Sequence, residues 1–189
     1  MPPQVFLIRH PETISNKEGI IEDPMGGELS TYGKSQISPA VKKLLSFNIS
    51  KVYSSDSARC RELAESFSKI SNLAINYTSV LREINSGDWI GMKKSDVKKL
   101  IAQNKRPKHG EDIPQLMKRA KTILEKLSKE EGRILLISHG CLIKMLVGAT
   151  QNIDPYEADE EVNVKNCDIL ELDLRQIQKS IPVIENRIK

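Results

Sequence analysis

The stretch VFLIRH, residues 5–10, is a short apolar run that ends abruptly on Arg9 and His10. Apolar, β-forming residues in a run of this length predict a buried strand. In open α/β sheets, ligands bind beyond the carboxyl ends of the strands. Arg9 and His10 therefore stand where such a sheet would present a catalytic or binding pair, although a strand can also end this way at an ordinary surface junction.

The same pattern returns near the other end of the chain. The run RILLIS, residues 133–138, leads through His139 and Gly140 into a helical pattern, and a third run, residues 51–55, leads to Arg59. If these three strands are adjacent and parallel, two imidazoles and two guanidiniums meet in one crevice above helix N-termini. Guanidinium forks and unpaired N–H groups both favour a phosphate-sized dianion.

Arg59 supports an anion site in a second way. The spacing of apolar residues predicts a helix from about 57 to 70, which puts Arg59 in its first turn. A cation is unfavourable at the positive end of a helix unless an anion occupies the site. The sequence therefore predicts phosphate binding at this end of the helix.

Periodicity places the remaining elements. Pro39 should kink or delimit the helix that carries Val41 and Leu44, and residues 152–159 are predicted to be a loop. The other expected elements are a strand over 74–78, an amphipathic helix from Pro114 to about Ser128, a helix from 139 to about 148, and edge strands that carry Ile169, Leu170, Leu172, Leu174, Ile181, Val183 and Ile184.

Four segments occur in an order typical of one known family: LIRHPETISN at 7–16, SSDSARCRELA at 54–64, LREINSGDWIG at 81–91 and SHG at 138–140. Together they resemble the motifs of the histidine phosphatase superfamily, which has the phosphoglycerate-mutase-like fold. The resemblance implies an α/β protein with three α/β/α layers, in which a mostly parallel sheet carries helices on both faces. We expect a single domain over residues 1–189, with a short lid insertion at about 84–113.

The resemblance also implies roles for the residues that match these motifs. His10 would be the nucleophile, Glu83 the general acid and base, and His139 a further catalytic residue. The phosphate oxygens would be held by Arg9, Asn16, Arg59, His139 and Gly140. From the residues alone, Asn16 can equally be a turn or cap residue, and Glu83 can equally pair with Arg82 or a surface lysine.

No metal and no other cofactor is expected. The Asp, Glu and His pattern shows no two-metal constellation, and in the predicted crevice two arginines take the place of a cation. Cys60, Cys141 and Cys167 have no metal-like spacing, and an odd number of cysteines argues against a disulfide framework.

Composition agrees with a compact intracellular enzyme. The chain has 189 residues, of which 39% are hydrophobic and 29% charged, and its net charge of +4 is too small to imply a nucleic-acid partner. We find no signal-peptide pattern and no run of 18 apolar residues, so the sequence predicts a cytoplasmic protein without a membrane partner. The oligomeric state stays open, with a homodimer as one option.

The predicted lid is basic between residues 93 and 109. Against one acid, Asp96, it carries seven basic residues: Lys93, Lys94, Lys98, Lys99, Lys105, Arg106 and Lys108. A solvated helix face with a loop is one interpretation. The other is a lid that favours a small phosphorylated substrate with negative charge beyond the phosphate. Nucleic acid is the weaker explanation because no aromatic stacking platform accompanies these lysines.

These observations favour a metal-independent phosphomonoesterase that acts through a phosphohistidine on His10. The alternative is a cofactor-dependent phosphoglycerate mutase, although the mutases of the family tend to be longer, with larger insertions. A non-catalytic protein that binds a phospholigand or nucleic acid is a remote alternative, because both His10 and Glu83 are present. The sequence does not specify the physiological substrate.

Overall fold

A five-stranded sheet lies at the centre of the computed structural model, which describes residues 3–172 and residue 174. Its strand order is β3-β2-β4-β1-β5. All neighbouring strands are parallel except β5, which runs antiparallel to β1 at one edge. The strands are β1 (Gln4–Arg9), β2 (Lys51–Ser55), β3 (Ile75–Thr78), β4 (Arg133–Ser138) and β5 (Ile169–Leu172).

Helices connect the parallel strands, as a parallel sheet requires. They are α1 (Ile14–Glu18), α2 (Thr31–Leu45), α3 (Ala58–Ser71), α4 (Lys94–Ala102), α5 (Ile113–Leu127), α6 (Gly140–Gln151) and α7 (Pro155–Glu161). Short 3-10 turns lie at Ser79–Leu81 and Gly87–Trp89. Within the described residues, no helix is both long and apolar enough to cross a membrane.

Alternate residues of β1 divide between two buried cores. Val5 and Leu7 pack in a core with residues of α5 and α6, whereas Phe6 and Ile8 pack in a core with residues of α2 and α3. Side chains alternate along a strand, so both faces of the sheet are covered by helices. The predicted three-layer α/β/α architecture is confirmed, and the three strands that were expected to be adjacent form the central order β2-β4-β1.

The structure contradicts a helix boundary at Pro39 and a loop over residues 152–159. Pro39 lies inside α2 and does not end it, because Pro39 and Ser35 are both exposed, so that water can bond the carbonyl that a proline leaves free. Residues 152–159 contain most of α7, which begins with an Asp154 cap and Pro155. Edge strand β5 contains Ile169, Leu170 and Leu172 as predicted, but Leu174 lies beyond its end. The predicted strand residues Ile181, Val183 and Ile184 lie outside the described residues.

The segment 84–113, which the sequence analysis predicts to be a lid, connects β3 to α5 and contains α4. Its backbone is tied to the residues that follow α1. Lys94 N–H donates to Gly19 O (2.8 Å), Gly91 N–H donates to Ile21 O (2.8 Å), and Ile21 N–H donates to Met92 O (2.9 Å). These bonds hold the start of α4 close to the carboxyl end of β1.

Candidate active site

The carboxyl ends of β1 and β4 bring two histidines together. Arg9 and Ser138 are paired in the strand register, so the residues that follow them, His10 and His139, leave the sheet side by side. Their ring centroids are 5.1 Å apart. Parallel strands end at the same edge of a sheet, and this is why two histidines 129 positions apart in sequence meet.

His10 is held in one tautomer by the carbonyl of the next residue, Pro11. The side chain is 2% exposed, and Nδ1 lies 2.7 Å from Pro11 O. A carbonyl oxygen can only accept, so Nδ1 carries the hydrogen and Nε2 keeps a free lone pair. Burial lowers the pKa of His10 well below its ordinary value of 6.5, and the charges of Arg59 and Arg9 lower it further.

His139 is fully buried and also neutral. Its Nδ1 accepts a hydrogen bond from Arg59 Nε (3.2 Å), so Nε2 carries the hydrogen and donates to Ser55 Oγ (2.9 Å). Burial lowers the pKa of His139 well below 6.5, with Arg59 as the next contribution. Both ring nitrogens are thus bonded to protein groups.

Arg59 lies in the first turn of α3, as predicted, and is 1% exposed. A loop that follows α1 closes over its guanidinium. Nη1 donates to Asp23 O (3.0 Å) and to Gly26 O, and lies 3.5 Å from Glu22 Oε2. Gly27 has a φ of +112°, and a Cβ there would be 2.8 Å from Arg59 Cδ. The Gly26-Gly27 pair therefore forms a turn and also leaves the space that the Arg59 side chain occupies.

Arg9 retains an unsatisfied donor. Nη1 donates to Val164 O (2.6 Å), but Nε is buried and has no hydrogen-bond partner among the described residues. A buried N–H of a guanidinium without a partner is costly, so a bound anion is a natural acceptor for it. Gly140 makes room for this group, because its Cβ position lies only 3.3 Å from Arg9 Cζ.

Glu83 caps the N-terminus of α6. One oxygen accepts from Cys141 N–H (3.1 Å), and the other accepts from Leu142 N–H (3.2 Å) and Ile84 N–H (3.0 Å). The alternative pairing with Arg82 is not formed. Glu83 thus lies at the same helix terminus that His139 and Gly140 open.

Arg82 instead binds Asp56 through two hydrogen bonds of 2.7 and 2.6 Å. The pKa of the Asp56 carboxyl is lowered chiefly by that hydrogen bonding. A guanidinium and a carboxylate that bind through two parallel bonds hold each other in a fixed geometry. The Arg82 side chain is therefore directed away from the cap that Glu83 forms.

Arg119 holds the backbone that carries Glu83. Its guanidinium donates to Val80 O (2.9 Å), Arg82 O (2.7 Å) and Glu83 O (3.3 Å), and forms two bonds to Glu111 of 2.9 and 2.6 Å. Arg119 was not predicted from the sequence. Only its place on α5, the helix that follows Gly110 and Glu111, could have pointed to it.

A cleft of about 380 Å³ lies beside Glu83. Apolar and charged side chains line it together, among them Pro24, Met25, Arg82, Ile90, Glu111 and Arg119. Both of its arginines are paired with carboxylates, so the cleft walls carry nearly balanced charge.

Asn16 takes part in the N-terminal cap of α1, and this cap determines which end of its side-chain amide is left for a ligand. It is the third residue of α1, and its Oδ1 accepts from Thr13 N–H (3.4 Å) in a capping box. The same oxygen accepts from Asn166 Nδ2 (3.0 Å). The Nδ2 group of Asn16 makes no hydrogen bond within the described part of the chain, so it is available to a ligand. The cap interpretation and a ligand role are thus compatible.

Lys94, in the predicted lid segment, is a basic residue whose charge reaches His10. Burial lowers the pKa of Lys94, and Arg9 lowers it further. Lys94 in turn is one of the charges that lower the pKa of His10. Two other basic residues point elsewhere: Lys99 pairs with Asp96 (2.9 Å) and Arg106 with Asp112 (2.7 Å).

No group of three or more His, Cys, Asp and Glu side chains suited to a metal ion occurs within residues 3–172 and 174. The three cysteines are free. Burial raises the pKa of Cys60 to about 12, so its thiol is a packing residue next to His139 Nε2 (3.5 Å) and not a nucleophile.

Residues 5–187 match the model of the histidine phosphatase superfamily (branch 1). Over 148 residues the chain is 30% identical to the "Probable phosphatase C1687.21" of Schizosaccharomyces pombe, covering 76% of this chain and 71% of the relative. It is 27% identical over 185 residues to the "Probable phosphoglycerate mutase GpmB" of Escherichia coli, covering 92% of this chain and 86% of the relative. The solved structure of Bacillus stearothermophilus YhfR superposes with a TM-score of 0.81 at 21% identity, covering 90% and 91% of the two chains, and this shows the shared fold.

Proposed function

The chain belongs to the histidine phosphatase superfamily, and on that premise we propose that it is a metal-independent phosphomonoesterase with a phosphohistidine intermediate on His10. The observation that carries this proposal is the state of His10. Its ring is buried and neutral, and Nδ1 is bonded to Pro11 O, so that Nε2 has a lone pair at neutral pH. A neutral imidazole with one fixed tautomer is a competent nucleophile.

In the first step, His10 Nε2 attacks phosphorus in line. A nitrogen–phosphorus bond forms, the ester oxygen–phosphorus bond breaks, and the leaving oxygen takes a proton from the Glu83 carboxylic acid. In the second step, water attacks phosphorus while Glu83 accepts a proton from it, and the electron pair returns to Nε2. One difficult displacement is thereby split into two easier ones.

Charge on the transferring phosphoryl group is countered by donors that the fold has already placed. The unpaired Nε–H of Arg9, the guanidinium of Arg59, the Nδ2 group of Asn16 and the N-terminus of α6 at Gly140 are the proposed phosphate ligands. Phosphoryl transfer depends mainly on such positioning and charge compensation. The two guanidiniums supply the positive charge that a metal ion provides in other phosphatases.

His139 acts through Arg59 in the arrangement described here. Its Nδ1 accepts the Arg59 Nε–H, and this bond fixes the guanidinium over the site. Direct donation from His139 to a phosphate oxygen requires that Arg59 release Nδ1 and that the ring bind a proton there. We assign both functions to His139. It orients Arg59 before substrate binds, and it then donates a hydrogen bond to a phosphate oxygen.

The substrate class follows from Lys94 and the cleft beside Glu83. The cleft, whose walls carry nearly balanced charge, accommodates a small alcohol leaving group. The Lys94 ammonium, which forms no ion pair with any residue that the structure describes, is a cation for a further anionic group on that alcohol. We therefore propose small phosphomonoesters with negative charge beyond the phosphate. This role for the lid applies to Lys94 and not to the basic residues that pair with their own neighbours.

A phosphoglycerate mutase is the second candidate, favoured by the 92% coverage of this chain in the similarity to the Escherichia coli relative. A mutase returns the phosphoryl group from histidine to a hydroxyl of the substrate, whereas a phosphatase transfers it to water. The predicted lid segment has one nine-residue helix, α4. Because the mutases of the family tend to carry larger insertions, this short segment favours hydrolysis.

Trapping of the intermediate tests the proposal. Rapid quenching with a ³²P-labelled phosphomonoester, in the presence of a chelator, should leave acid-labile and base-stable label on the peptide that contains His10. His10→Gln should abolish both the label and phosphate release. The matched control is His109→Asn, because His109 is exposed and has a φ of 57° that asparagine tolerates well.

The outcomes separate the candidates. Label on another peptide, or rapid turnover in the His10→Gln variant, would contradict the proposed nucleophile. Loss of activity on chelation would contradict metal independence. Rapid isomerisation of 3-phosphoglycerate with negligible phosphate release would establish the mutase.

A further inference from the structure

The segment that enters β5 forms a wall behind Arg9 and His10. Cys167 N–H donates to Arg9 O (3.0 Å), Val164 O accepts from Arg9 Nη1 (2.6 Å), and Arg9 N–H donates to Asp168 O (3.4 Å). Residues 164–168 thus bond the first motif on both its backbone and its side chain. One side chain of this segment, Asn166, reaches further into the site.

Asn166 donates both hydrogens of its side-chain amide to groups of the site. Its Nδ2 donates to His10 O (2.9 Å) and to Asn16 Oδ1 (3.0 Å). Backbone groups fix the identity of these atoms. A carbonyl such as His10 O can only accept, so Asn166 must present nitrogen to it, and Thr13 N–H can only donate, so Asn16 must present oxygen to it.

The consequence concerns the other end of the Asn16 amide. With Oδ1 held by two donors, Nδ2 and its two hydrogens stay free. We infer that Asn166 is a positioning residue that keeps Asn16 turned so that it donates to the substrate phosphate, an inference that rests on the proposed function. Without Asn166, the long 3.4 Å bond from Thr13 N–H is the one bond among the described residues that opposes a flip of the amide.

A flipped amide would oppose phosphate binding for two reasons. The site would lose a charge-assisted donor, and an oxygen lone pair would face the anion. Asn166→Asp should force this flip, since a carboxylate accepts from Asn16 Nδ2 and repels Oδ1. We expect inorganic phosphate to bind roughly tenfold more weakly to this variant, as for loss of one hydrogen bond to a charged group.

Isothermal titration of inorganic phosphate onto the full-length protein tests the inference. Asn163→Asp is the matched control, because Asn163 is exposed and the substitution adds the same charge three residues away. The same Asn166→Asp change is then measured in an Asn16→Ala background. If Asn166 acts through Asn16, its loss of affinity should shrink there to about twofold, while Asn163→Asp has a small effect in both backgrounds.

An equal loss in both backgrounds would overturn the inference, and so would unchanged phosphate affinity in Asn166→Asp. If Asn166→Asp does not fold, Asn166→Ala serves instead. It removes the donors without forcing the flip, and about a threefold loss that disappears in the Asn16→Ala background is then expected. Binding is measured without turnover, so a failure of the phosphohistidine to form, which would refute the proposed function, is distinguishable from a failure of this positioning role.

Discussion

The two buried histidines should make the fold acid-sensitive at a pH where carboxylates are still ionised. The pKa values of His10 and His139 are both lowered well below 6.5, first by burial and next by Arg59. In the unfolded chain each imidazole regains a pKa near 6.5. Between the folded and unfolded pKa values the unfolded state binds more protons, so the stability present above pH 6.5 is lost as the pH falls.

The magnitude follows from the shift of each ring. As the pH falls from about 7.5 to 5.5, the free energy of unfolding decreases by about 1.4 kcal/mol for each imidazole that stays neutral in the fold. For the two histidines together the decrease is about 2.7 kcal/mol. His10→Asn or His139→Asn should each halve this loss. His109→Asn, a change at an exposed histidine, is the control.

Urea unfolding in phosphate-free buffer at several pH values provides the measurement. The chain has one tryptophan, Trp89, which is 8% exposed in the fold and so gives a fluorescence signal of unfolding. Phosphate is omitted because a ligand of the native state would add its own stabilisation. A pH dependence that is the same in the wild type and in both single variants, or that His109→Asn reduces equally, would refute the reasoning.

Two further predictions concern residues around the site. Lys94→Met should raise the KM for phosphomonoesters with a carboxylate on the alcohol by about threefold relative to p-nitrophenyl phosphate. Lys98→Met should not, because Lys94 is among the charges that act on His10 and Lys98 is not. Equal effects of the two variants would contradict a specific role for Lys94. Arg119→Lys should lower kcat about tenfold for alkyl phosphates, because a lysine cannot hold the backbone that carries Glu83. The kcat for p-nitrophenyl phosphate should change little, since its leaving group needs no proton. Arg106→Lys, on an exposed ion pair, is the control, and a uniform loss on both substrates would count against positioning of the acid.

The strand ends were predictable because their signals are local. One apolar run stops at Arg9 and His10, and another stops before His139. Once β1 and β4 lie parallel and adjacent, the centroids of the His10 and His139 rings are 5.1 Å apart. Arg59 was predictable for the same reason, since its place in the first turn of α3 depends on the spacing of its own helix.

Side-chain pairings were not predictable where the sequence allowed several partners. Glu83 could have paired with Arg82, but Arg82 binds Asp56, and Glu83 caps α6. Which of these pairs forms depends on distances between elements that lie 26 and 58 positions apart along the chain. Periodicity carries no information about such distances.

What the sequence by itself determined is the set of buried faces and the chemical groups at the strand ends, because periodicity and local propensity act within one element. Only the tertiary structure decided which tautomer each histidine holds, that Arg119 clamps the backbone of Glu83, and that Asn166 bonds Asn16 across 150 positions. The physical reason is that a hydrogen bond is directional and falls off steeply with distance and angle, so it depends on the packing of several elements at once.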